Sequence, residues 1–94
     1  MQKSRRLRTV IETTEFLTQK AKFNLSAQRL DEVLFGVTWA LARHPEYFSQ
    51  VLPKSDIRLI KTDSILDVPA FRIFFTFNSN EVRLLWIEAI EVTS

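Results

Sequence analysis

The stretch AFRIFFTFNSNEVRLLWIEAI (Ala70–Ile90) constrains the fold more than any other part of this chain. Phe71, Ile73, Phe75 and Phe77 alternate with Ala70, Arg72, Phe74 and Thr76. An extended strand puts the first set on one wholly apolar face and the second on a mixed face. Asn78–Asn80 reads as a turn, because asparagine tolerates positive φ and short polar side chains bond their own backbone. Val82–Ile90 is the returning strand, and the two form an antiparallel hairpin.

The elements before it suggest what covers the apolar face. Leu7–Thr13 alternates and carries Val10 and Ile11, so a short strand is predicted there. Thr14 is a candidate N-cap for a helix running to about Lys22. Leu30, Val33, Leu34, Val37, Ala40 and Leu41 recur at helical spacing, which predicts a second helix capped by Ser26. Pro45 disfavours helical geometry at His44 and ends it, with room for one further turn in Pro45–Leu52. Gly36 inside that helix suggests a close contact with another element. Ile57–Thr62 alternates again and is a third strand of the second half. Strand, two helices, then three strands make an α+β domain: two N-terminal helices packed on one face of a three- or four-stranded antiparallel sheet. The first strand must pair beside one of the later three.

Composition narrows the chemistry. With 94 residues, one domain with a modest core is expected. There is no cysteine, which removes disulfides, thiolate metal sites and a cysteine nucleophile and fits a reducing, cytoplasmic setting. A single glycine rules out a Gly-rich phosphate loop. No apolar run is long enough to span a membrane. The net charge of +2 says little about nucleic acid, although Lys3, Arg5, Arg6 and Arg8 cluster at the start. Residues 1–6 are expected to form a flexible basic tail, either simply solvated or touching phosphate.

The order of these segments resembles the RelE/ParE superfamily of type II toxins. TVIETTEFLTQKAK is similar to that family's opening strand and first helix, and LARHPEYFSQVLP to the end of its second helix. IRLIKTDSILDVPAFRIFFTFNSNEVRLLWIEAIE is similar to its strand meander. The resemblance runs from about Thr9 to Glu91 and lies in order and spacing rather than in one diagnostic motif. It implies a toxin silenced by a cognate antitoxin, with no cofactor and no metal. The target would be messenger RNA on the ribosome in RelE-like members or DNA gyrase in ParE-like ones. A degenerate member that only binds an antitoxin is a further alternative.

Metal-independent RNA cleavage needs a group to take the 2′ proton, a cation to stabilise the phosphorane, and an acid for the leaving oxygen. Guanidinium suits the anion because its fork bonds two phosphate oxygens. By the resemblance, Arg72 corresponds to the phosphate-binding arginine and Arg58 to a basic residue on the preceding strand. Lys54, Lys61 and Arg83 are candidate RNA contacts, with Lys61 facing away from Arg58 by alternation. Ile60 stands where a second basic residue is expected. The family's terminal basic, Tyr or His groups have no counterpart in EAIEVTS, so an incomplete catalytic set is expected. His44 and Tyr47 lie at the helix end instead. Each arginine has an alternative as a snorkelling or ion-paired strand residue, with Glu88 as the cross-strand partner for Arg72.

Partner contacts are expected at Phe35, Trp39 and Trp86. Phe35 and Trp39 are adjacent on the helix, away from the Leu30/Leu34/Leu41 stripe, and are covered by the first helix or form a docking patch. Trp86 belongs either to the core or to an antitoxin groove. Tyr47 and Phe48 are expected to pack on the sheet.

Overall fold

The computed structural model describes residues 7–23, 27–64 and 68–90. The expected basic tail and the Ser26 cap lie outside them. The order of elements is β1 (Thr9–Glu12), α1 (Thr14–Lys20), α2 (Ala27–Arg43), a 3₁₀ turn (Pro45–Tyr47), β2 (Arg58–Lys61), β3 (Phe71–Phe77) and β4 (Glu81–Ala89). It is an α+β fold with two helices and one four-stranded sheet, ordered β1-β4-β3-β2.

The sheet is mixed, which corrects the expectation of a purely antiparallel one. β1 does pair beside a later strand, but it runs parallel to β4, with Thr9 opposite Glu81 and Glu12 opposite Leu84. The crossover containing α1 and α2 is long enough to return the chain in the same direction, which a hairpin turn cannot do. β2, β3 and β4 form the predicted antiparallel meander.

Local chemistry sets the element ends. The α1 cap is Thr13, one residue before the predicted one. Its Oγ1 accepts from the Phe16 amide at 3.4 Å and donates to the Leu84 carbonyl at 2.6 Å, tying the helix start to β4. α2 stops at Arg43, and His44 takes non-helical angles (φ −139°, ψ 57°) ahead of Pro45. The β3–β4 turn is closed by Asn78, whose Oδ1 accepts from the amides of Asn80 (2.8 Å) and Glu81 (2.9 Å).

Both helices lie on the apolar face. Phe71, Ile73 and Phe75 from β3 meet Val82, Leu84 and Ile87 from β4, and Phe16, Leu34 and Leu41 close over them. β4 does not alternate strictly. A bulge opposite Phe74/Phe75 shifts its register, so that Phe75 faces Leu84 while Phe74 faces Trp86. Trp86 is therefore on the face away from the helices, 38% exposed and not part of the core. Phe48 packs edge-on to Phe75 as expected. Tyr47 does not reach the sheet: it is exposed and stacks on His44.

Gly36 corrects another expectation. A Cβ built there meets nothing within 4 Å, so no close intramolecular contact requires glycine. Its φ is not positive either. Gly36→Ala should accordingly stabilise the folded chain by about 0.5–1 kcal/mol. Urea denaturation in dilute solution checks this, and a loss of stability would mean that an unseen contact exists.

Candidate functional site

The face of the sheet opposite the helices is left open by the described elements, and the register arranges it in rows. Lys61 on β2 lies beside Arg72 on β3, and Arg72 beside Glu88 on β4. The next row is Leu59, Phe74 and Trp86. The third is Thr76, Arg83 and, from β1, Ile11. An ionic row thus adjoins an aromatic one, each running from the edge strand β2 across β3 to β4.

One carboxylate organises this face. Glu88 Oε2 accepts from Arg72 Nη1 at 2.8 Å, and Glu88 Oε1 accepts from the Trp86 indole Nε1 at 3.1 Å. The indole is thereby held next to Phe74. The Arg72 and Glu88 side chains are each more than one third exposed (35% and 40%), so the pair is reachable from solvent and adds at most about 1 kcal/mol to stability. A guanidinium has five N–H donors, and the contact to Glu88 leaves the rest of the Arg72 fork for an anion. Arg83 is more exposed and sits 3.4 Å from Glu81 Oε1.

The structure does not bring Arg58 and Arg72 together. Arg58 is opposite Phe75 and Lys61 opposite Arg72, so by strand pleating Arg58 lies on the helix-side face. Its Nη1 donates to the carbonyls of Phe48 and Glu46, and its guanidinium rests 5.4 Å from the Phe77 ring centroid. These contacts tie the segment after α2 to the sheet edge. Lys61 is the residue that joins Arg72 on the open face. Lys54 is exposed in the loop before β2, in left-handed backbone geometry (φ 67°), and takes no part in the rows.

His44 and Tyr47 stack on each other at 4.6 Å, with His44 Nδ1 3.9 Å from Glu46 Oε2. They belong to the end of α2, on the helix side, and make no contact with the Arg72 row. Among the described residues, Glu88 is the acid–base group in contact with Arg72.

Phe35 and Trp39 are not covered by α1. They are 72% and 52% exposed on the outer side of α2, and the Arg43 guanidinium lies 4.1 Å from the Trp39 ring centroid. Phe74 is the open-face residue that sequence reasoning passed over. Alternation placed it on the mixed face with Arg72, but nothing in the pattern showed that Trp86 would lie beside it, so it was given no role at the site.

Comparison with known proteins returns no family model, no curated protein and no solved structure that matches this chain. No helix among the described residues is long and apolar enough to cross a membrane.

Proposed function

We infer that this chain is the toxin component of a bacterial type II toxin–antitoxin pair, built on a RelE/ParE-like scaffold, and that its open sheet face engages single-stranded RNA. The observation that carries this reading is the Lys61–Arg72–Glu88 row beside the Leu59–Phe74–Trp86 row. Exposed bases stack on aromatic rings presented by a sheet, while adjacent cations hold the backbone phosphates. In metal-independent cleavage the 2′-oxygen attacks phosphorus and the 5′-oxygen leaves, giving a cyclic phosphate. Arg72 and Lys61 would carry the phosphorane charge, and Glu88 would take the 2′ proton. The leaving 5′-oxygen would take its proton from solvent water, which the exposed Arg72–Glu88 pair admits.

One observation favours a second reading. Glu88 neutralises part of the Arg72 charge, and a carboxylate beside the phosphate site opposes anion binding. A gyrase-directed toxin, or a chain that only binds its antitoxin, has no need of a strong phosphate site.

Growth of bacteria expressing the chain alone separates these readings. Arrest, with cuts in translated messages by primer extension, is the expected result. Arg72→Ala should relieve it while the circular-dichroism melt stays unchanged. Accumulated gyrase–DNA cleavage complexes would select the second target, and unchanged growth would overturn toxin activity in favour of a chain that only binds its antitoxin.

A further inference from the structure

The outer surface of α2 carries a stripe that the fold leaves unused. At 100° per residue, Glu32, Phe35, Gly36, Trp39 and Arg43 share one side of the helix, opposite Leu30, Leu34 and Leu41. Two large aromatics in this stripe are mostly exposed. Gly36 sits between them, lowering helix propensity with no close neighbour to explain it. Aromatic residues and arginine are the types enriched in protein interfaces, and a glycine on a helix surface lets another backbone or ring approach closely.

The charges identify the occupant. Glu32 and Arg43 are equally far on either side of the Val37–Thr38 peptide. A two-fold contact uses the same patch on both copies. If two α2 helices met in parallel, Glu32 would face Glu32 and Arg43 would face Arg43. If they meet antiparallel, each Glu32 faces the Arg43 of the other copy, and each Trp39 comes level with the other copy's Gly36. The stripe is self-complementary in the antiparallel arrangement alone.

We propose that the protein forms a two-fold dimer through antiparallel packing of α2 against α2 of a second copy, with the Trp39 indole seated over Gly36 and Glu32 paired with Arg43 across the axis. Arg72, Phe74 and Trp86 lie on the sheet face away from the helices, so the dimer leaves them accessible. A contact of one helix face per copy is smaller than the roughly 800 Å² per partner of a standard stable interface, so association is reversible and concentration-dependent.

Sedimentation velocity and light scattering on the full chain test this. The mass should rise with concentration from 11.0 kDa towards twice that value. Gly36→Gln adds a side chain where the monomer has space, and should weaken association by roughly tenfold or more while the melt is unchanged or raised. Glu32→Arg alone and Arg43→Glu alone should each be monomeric where the wild type dimerises. Their equimolar mixture should dimerise, because a copy with two cationic stripe ends then faces a copy with two anionic ones. A wild type that stays monomeric at every concentration overturns the proposal. So does a Gly36→Gln protein that associates as well as the wild type. Failure of the mixture to restore association overturns the antiparallel arrangement.

Discussion

Phe75→Ala should leave a substantial fraction of the protein unfolded at 37 °C. Phe75 is fully buried in the middle of β3, flanked by Leu84 on β4 and Arg58 on β2, with Phe48 edge-on at 6.2 Å between centroids. Removing a buried Phe side chain costs about 3–5 kcal/mol, part of it from the cavity left behind. The cavity cannot collapse easily here, because strands on both sides fix the backbone. A chain of 94 residues has a total stability on the order of 5–14 kcal/mol, and small domains fall towards the lower end. The loss therefore removes much of the margin. Urea denaturation followed by far-ultraviolet circular dichroism measures it, and a change below about 1.5 kcal/mol would contradict the packing described.

Arg58→Ala and Arg72→Ala should behave as opposites, although both remove an arginine from a strand. The Arg58 guanidinium satisfies two backbone carbonyls and rests on the Phe77 ring, with its stem on the helix side. Loss of these charge-assisted bonds and the ring contact should cost about 2–3 kcal/mol. Arg72 makes one solvent-accessible ion pair, so its removal should cost no more than about 1 kcal/mol. Any growth effect lost with Arg58→Ala should fall in step with the amount of folded protein. Any effect lost with Arg72→Ala should fall at full folded yield. Denaturation midpoints and soluble yields of the two variants, set beside growth, distinguish the roles. Equal destabilisation by both would mean that Arg72 is a structural residue too.

Much of the fold was legible in local pattern. The alternation in Phe71–Phe77, the Asn78 turn and the helical spacing from Leu30 to Leu41 all appear as read. Two things were not legible, for physical reasons. Alternation reports which residues share a face but not which strand lies alongside, so the parallel β1–β4 pairing could not be read from Thr9–Glu12. The bulge opposite Phe74/Phe75 inverts the phase of β4 after Leu84, and strict alternation then assigns Trp86 to the wrong side. At the site, alternation did separate Arg58 from Lys61. What it could not supply was the absolute face, which put Lys61 beside Arg72 and turned Arg58 towards the Phe48 carbonyl. Exposure of Phe35 and Trp39 depended on where α1 lies, and α1 packs against β4 instead of over them.

The parallel pairing has a consequence for the timing of synthesis. β4 lies between β1 and β3 and is the last of the described strands to leave the ribosome. Thr9 cannot find Glu81 until the intervening segment has emerged, which takes roughly 4–15 s at ordinary translation rates. During that interval α2 has no sheet on which to lay its leucines, so the nascent chain is a natural client for chaperones. Whatever the finished sheet does to its surroundings therefore waits until β4 has been made.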